Sequence, residues 1–242
     1  MSKMHIGSAS ALAACLAAVG CAHQVYSPPA RVLPLETVDT LARGDTGVQL
    51  EGSQHGALFG VQAWGGTARA RYGLLRGTDI AAEASYIHVS GDSAAHLNHG
   101  IYSMRFGGKQ RLLPSLSVVG GAGAGYSAAG AFISPEVGPI VAYENRYLVP
   151  FLSMRAGLSV PIAPRDVDTA QSGEDPEIDR PRLTGLLGAT AGLRLPLPSG
   201  RTEDAHSGVR SSLLGGIGLL RIADRDDGQT LFQCGGGFEL VL

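Results

Sequence analysis

Three stretches of this chain carry residue types that could do chemistry. His88, Asp92, Ser93, His96 and His99 bring imidazoles and a carboxylate into one short segment. Such groups can ligate zinc or relay a proton. Their spacing matches no zinc signature, and polar loops often carry histidines, so the segment reads as a solvated loop. Asp166, Asp168, Glu174, Asp175, Glu177 and Asp179 concentrate acid in a second stretch. It lacks the ligand spacing and central glycine of an EF-hand loop, and again a solvated loop is expected. The run from Gly120 to Gly125 has the composition of a phosphate-cradling loop, but it continues through Tyr126 and Ser127 in strand period instead of opening a helix. No Gly-x-Ser-x-Gly elbow is present. The expectation is therefore no catalytic residue, no metal, no cofactor and no enzymatic activity.

The arginines are more informative. Arg69, Arg71, Arg105, Arg155 and Arg194 each sit in the middle of an alternating segment, with glycine, serine or threonine beside them on the same face. Side chains alternate across a strand, so each such segment has one apolar and one small or charged face. Ala68, Ala70, Tyr72 and Leu74 oppose Arg69, Arg71 and Gly73; Ile80, Ala82, Ala84 and Tyr86 oppose Ala81, Glu83 and Ser85. Tyr102, Met104 and Phe106 oppose Ser103, Arg105 and Gly107, and Leu152, Met154, Ala156 and Leu158 oppose Ser153, Arg155 and Gly157. Leu187, Ala189, Ala191, Leu193 and Leu195 oppose Thr190 and Arg194; Phe232, Cys234, Phe238, Leu240 and Leu242 oppose Gln233, Gly235, Gly237 and Glu239. A wetted sheet face carries more lysine and glutamate than this. In a narrow barrel lumen, by contrast, isolated arginines need carboxylate partners, for which Glu51, Glu83 and Glu239 are the candidates.

These faces require an all-β scaffold. From about Thr46 onward, segments of strand length are separated by turn residues, and no helical period persists. Val48 and Leu50 share one parity and Ala57, Phe59, Val61 and Ala63 the other, which calls for a bulge near Gly52–Gly56 or two separate strands. Tyr72, Phe106, Tyr143 and Phe238 are expected near short connections or the carboxyl end. Tyr86, Tyr102, Tyr126 and Phe232 are expected at the opposite strand ends, giving two aromatic belts. Arg76–Asp79 and Glu144–Arg146 read as tight turns, Ser90–Asn98 and Ile162–Arg180 as long loops, and Pro198–Ser207 as a long connection where a short one is expected. The chain has 242 residues, net charge −2, 17% charged residues and 35 glycines without a collagen period. No basic excess points to nucleic acid.

The first residues form a basic start, a short alanine-rich apolar run and small residues before a cysteine, Ala18-Val19-Gly20-Cys21. This resembles a bacterial lipoprotein signal. The resemblance implies removal of residues 1–20, acylation of Cys21, and, with Ala22 following instead of aspartate, sorting to the outer membrane. Leu12-Ala13-Ala14-Cys15 competes by letter, but leaves an apolar core near the lower limit for an export signal. Residues 21–45 are polar and proline-bearing and read as a tether.

Residues 46–242 resemble a small bacterial outer-membrane β-barrel, with alternating Phe238, Leu240 and Leu242 as the closing strand. Such strands usually end in phenylalanine, whereas this one ends in leucine. The resemblance implies a closed antiparallel up-and-down transmembrane β-barrel of about ten strands, with eight the neighbouring even number. Arg69, Arg71, Glu83, Arg105, Arg155, Arg194 and Glu239 would form a lumenal charge network. The partners would be outer-membrane lipid and a protein or ligand at the outer loops; the role would be structural or interactive, without an open pore. Two other readings stand beside it. One is a lipid-anchored soluble periplasmic barrel or sandwich that binds an apolar ligand or a protein. The other is a barrel-embedded lipid or peptide hydrolase using the His88–His99 loop.

Overall fold

The structure is a computed structural model, and it describes residues 26–56, 62–90, 99–168, 178–197, 209–225 and 228–242. The strands are β1 (Thr46–Gly56), β2 (Gln62–Leu75), β3 (Thr78–Ser90), β4 (His99–Leu113), β5 (Leu116–Ser127), β6 (Gly130–Ala142) and β7 (Val149–Pro164), then β8 (Val167–Asp168), β9 (Ile178–Asp179), β10 (Thr184–Pro196), β11 (Arg210–Ala223) and β12 (Gly228–Val241). All but β8 and β9 form one closed sheet in which each strand pairs antiparallel with its chain neighbours. β7 pairs with β10 across a connection that contains the small β8–β9 hairpin, and β1 pairs with β12 to close the ring. The architecture is thus a closed antiparallel barrel of ten strands, not eight.

Alternation explains how these residues make this sheet. In β7, Val149, Phe151, Ser153 and Arg155 are buried inward while Pro150, Leu152, Met154 and Ala156 are exposed outward. β1 shows the same pattern, with Gln49 and Glu51 inside and Val48 and Leu50 outside. β1 and β2 are separate strands whose register runs without a bulge from Thr46↔Tyr72 to Gly56↔Gln62. Ala63 faces inward, against an apolar cluster, while Trp64 points out. Ala57, Phe59 and Val61 lie outside the described residues.

The turns divide by end. Residues 76–77, 114–115 and 143–148 join strands at the end where β1 begins and β12 finishes, and Leu242 exchanges two backbone hydrogen bonds with Thr46 there. Residues 165–168, 178–183 and 224–225 and the tight turn at 128–129 lie at the opposite end; this last turn closes on Gly130 at φ +107°, a conformation glycine adopts without strain. The connection between β10 and β11 leaves from the short-turn end, and residues 198–208 of it lie outside the described residues. On the outer face at the long-loop end, Trp64, Tyr86 and Tyr102 make ring contacts, and Tyr102 pairs with Tyr126. Phe106 departs from the expected belt. It sits mid-strand, opposite Ala82 and Ala122, because β4 runs on to Leu113 before it turns.

The interior is not the hollow lumen of a ring alone. Residues 26–45, expected as a tether, run through it, and Ala30, Leu33, Leu35, Val38 and Leu41 are among the most buried apolar residues of the described chain. Two apolar clusters result. Near the short-turn end Leu33, Leu35 and Val38 pack with Val119, Ile140, Val149, Phe151 and Leu214; near the loop end Val32 packs with Ile87, Leu186, Leu220 and Ile222. The tether reading is corrected for this reason: the segment is rich enough in apolar side chains to be buried by the barrel wall.

Candidate functional site: a threaded lumen and its charge network

The inner segment forms no regular secondary structure from Ser27 to Asp45, so the wall must supply partners for its backbone. It does so with side chains. Ser103 donates to the carbonyl of Ala30 at 2.7 Å, Ser117 to that of Val38 at 2.7 Å, Gln49 to that of Leu35 at 2.8 Å, and Lys109 to that of Thr37 at 3.1 Å. The amide of Leu33 donates to Gln233 Oε1 at 3.2 Å. Leu33 stands at φ +44°, which for a leucine costs on the order of 1–3 kcal/mol. It is held there by the Gln233 bond and by burial against β11 and β12, where a Cβ on Gly235 would lie 2.7 Å and one on Gly218 3.1 Å from its methyl carbons. Gly123 plays the same part for Ala30, since a Cβ there would lie 2.4 Å from that of Ala30. Some of the glycine excess is therefore a track cut for the inner chain.

Midway along the lumen, four guanidiniums and four carboxylates interlock. Glu83 takes Arg31 Nε at 3.3 Å, Arg69 Nε at 2.9 Å and Arg105 Nη1 at 2.9 Å. Glu136 takes Arg105 at 3.0 Å and Arg155 at 2.8 Å, and Glu51 takes Arg31 at 3.2 Å. Glu36, from the inner segment, pairs with Arg155 at 3.1 Å and contacts both Arg31 and Arg69. A second group lies toward the short-turn end. There Arg71 is bound by Asp79 and Glu239 at 2.5 Å each, while Arg194 reaches Asp39 at 3.0 Å and Glu239 at 3.2 Å. Charges in so dry a space persist only when paired and hydrogen-bonded. In both groups each guanidinium contacts at least two carboxylates, a geometry suited to holding chain against wall.

The structure places Arg69, Arg71, Glu83, Arg105, Arg155 and Glu239 buried inside the barrel, with Arg194 half-buried beside them, and Glu51 belongs to the same network. Sequence reasoning missed Arg31, Glu36 and Asp39 on the inner segment, and Asp79, Lys109 and Glu136 on the wall. The signal that points to the acids among them, Glu36, Asp39, Asp79 and Glu136, is charge balance. Five lumenal arginines against three glutamates leave an excess that a closed interior does not tolerate. A cavity of about 30 Å³ lies beside Arg31 and Leu33, and one of about 10 Å³ beside Glu36 and Arg69. Each is of the order that holds a single water or two.

The remaining candidates contribute little. The His88 ring lies tilted against Trp64, with centroids 5.3 Å apart, and is 3.5 Å from the Tyr86 hydroxyl, so it belongs to the outer aromatic row. Asp92, Ser93 and His96 lie outside the described residues. Asp166 is held by Arg180, which keeps its carboxyl below the usual carboxylate range, but both are exposed and such a pair adds little stability. Glu174, Asp175 and Glu177 lie outside the described residues, as do Cys15 and Cys21. Gly120–Gly125 is part of β5, and the next element along the chain is the strand β6, not a helix. Among the described residues no cluster of three or more histidine, cysteine or acidic side chains is placed to hold a metal.

No protein-family model matches the chain. No curated protein sequence matches it either. Among solved structures, the chain is similar to Neisserial surface protein A, at 13% identity over 81% of this chain and 98% of that one, with a TM-score of 0.37. It is similar also to a bacterial polysaccharide outer membrane secretin, at 7% identity over 84% and 99% of the two chains, with a TM-score of 0.31.

Proposed function

We propose that the chain is a small bacterial outer-membrane β-barrel lipoprotein, acylated at Cys21, whose lumen is filled by its own amino-terminal segment. Its role is structural or interactive, carried by the loops at one end, and non-catalytic; it forms no open pore. The observation that carries this reading is the outer face. Phe106 is 65% exposed, Met104 60% and Ile217 56%, each in the interior of a strand. In water a continuous belt of this kind is an aggregation surface, whereas against hydrocarbon it is the face a membrane barrel needs. The outward run from Pro150 to Ile162 on β7, at about 3.3 Å per residue and a tilt near 40°, covers roughly 30 Å of membrane normal. The lumenal charges support the same reading, since they are enclosed and paired, not wetted.

The test is solubility together with the mass of the mature chain. A chain beginning at residue 22 is expected to stay folded only in detergent or bilayer, and free solubility as a folded monomer would refute the membrane reading. The full-length protein, expressed in a bacterium, is expected to yield a mature chain heavier by its acyl groups. An unmodified Cys21 thiol would refute the lipoprotein reading.

A further inference from the structure

The inner segment has a direction. At one end Tyr26 bridges to Arg182 just ahead of β10. The amide of Ser27 donates to Thr184 Oγ1 at 3.1 Å, and the hydroxyl of Ser159 donates to the carbonyl of Pro28 at 2.6 Å. Ser159 and Thr184 are paired across β7 and β10, at the side where the long 165–183 connection joins those strands. At the other end the amide of Leu41 approaches Asp79 Oδ2 at 3.4 Å, and the amide of Gly44 donates to the carbonyl of Gly73 at 2.8 Å, beside the short turn at Arg76–Gly77. Thr46 then pairs with Leu242. Ala30, Leu33, Leu35, Thr37 and Val38 are each held in turn between these ends. The segment therefore crosses the barrel once, from the long-loop end to the short-turn end, and β1 climbs back in the wall.

Tyr26 and Leu242 thus lie at opposite ends of one barrel. The cavities of about 10 and 30 Å³ that flank Glu36 and Arg31 among the described residues are each too small for a second strand of chain to run back through them. We propose that the chain is threaded through its own barrel so that the part preceding Tyr26 emerges at the long-loop end, the cell-surface side, and that the acyl chains on Cys21 enter the outer leaflet there. This rests on the membrane and acylation readings above. The partner is a lipid surface, and the reach agrees: the five residues from Cys21 to Tyr26 span at most about 18 Å. An anchor in the periplasmic leaflet would have to start beside β1, but residues 26–41 are enclosed by the wall from the long-loop end to the short-turn end.

The experiment is cysteine accessibility in intact cells with a membrane-impermeant maleimide. The full-length chain carries Cys234→Ser and one added cysteine: Gln24→Cys, Arg225→Cys in the connection before β12, or Asn145→Cys in the turn before β7. The expected result is that Gln24→Cys labels in intact cells alongside Arg225→Cys, while Asn145→Cys labels only after the envelope is opened. Gln24→Cys tracking Asn145→Cys, or staying protected in both conditions, overturns the threading. If Arg225 and Asn145 exchange their behaviour, the assigned membrane orientation has failed, and Gln24 still decides the threading by which of the two it follows. If those two sites label alike in intact cells, the membrane reading has failed and takes the surface anchor with it. The parent with Cys234→Ser alone stays unlabelled when Cys21 is acylated; labelling of it removes the outer-leaflet anchor.

Discussion

Arg31 and Glu83 meet inside the barrel at 3.3 Å, although one belongs to the inner segment and the other to the middle of β3. The same carboxylate bonds Arg69 on β2 and Arg105 on β4, so Glu83 ties three neighbouring strands to the chain they enclose. Glu83→Gln keeps the shape and removes the charge, leaving three buried guanidiniums short of a shared partner. The expected cost is about 3–5 kcal/mol of stability, as for other buried pairs broken on one side. Urea unfolding of the barrel in detergent micelles, followed by the loss of its compact form on unheated gels, measures it.

Gly123 and Ala30 form a matched pair of surfaces. Gly123→Ala places a methyl group 2.4 Å from Ala30 Cβ and 2.9 Å from the carbonyl oxygen of Met104. Overpacking of this kind costs about 1–3 kcal/mol. Ala30→Gly in the same chain removes the nearer obstacle, so the double variant recovers most of the loss. A double-mutant cycle in micelles reads the coupling between wall and inner chain directly; equal destabilisation of the single and double variants would contradict a close-packed plug.

The outer face responds to charge by depth. Ile217→Arg on β11 and Met104→Arg on β4 lie in the interior of the apolar belt and are expected to cost about 2–4 kcal/mol each. Leu74→Arg, beside the short turn, falls near about 0–1 kcal/mol because an arginine there reaches the interface. Equilibrium folding into vesicles distinguishes this gradient from the flat response of a soluble sheet.

Opening the lumen is the fourth test. The intact protein is expected to give no conductance in a planar bilayer, since the inner segment fills the passage. Deleting residues 27–44 removes Arg31 and also Glu36 and Asp39, so the remaining network carries one positive charge in excess. The resulting pore is narrow and favours anions, read from the reversal potential in a salt gradient.

The strand faces were legible because alternation is a local property. Whether Arg155 and Leu152 point apart is decided by their parity, and no distant contact is needed to know it. The ring order is legible as well, since neighbours in sequence pair in an up-and-down barrel. The inner segment was not legible in the same way. Its conformation has no period, and what holds it is a set of individual hydrogen bonds from Ser103, Ser117, Gln49, Lys109 and Gln233. Each of those joins residues far apart in the chain. Val32, Leu33, Leu35, Val38 and Leu41 are nonetheless too apolar for a solvated tether, and Glu36 and Asp39 offer the carboxylates that the wall arginines lack. Phe106 is not a belt residue for a related reason: alternation fixes its face but not where the strand ends, and β4 runs on to Leu113 before the turn.

Closure of β1 on β12 along ten paired positions has a consequence for biogenesis. The finished ring encircles a chain that fits it too closely to be drawn in afterward. The order of events is then constrained. The amino-terminal stretch must already lie across the nascent sheet when the last strand arrives, and the sheet must curl around it. Any insertion machinery that handled this protein would have to accept a filled hairpin array rather than an empty one.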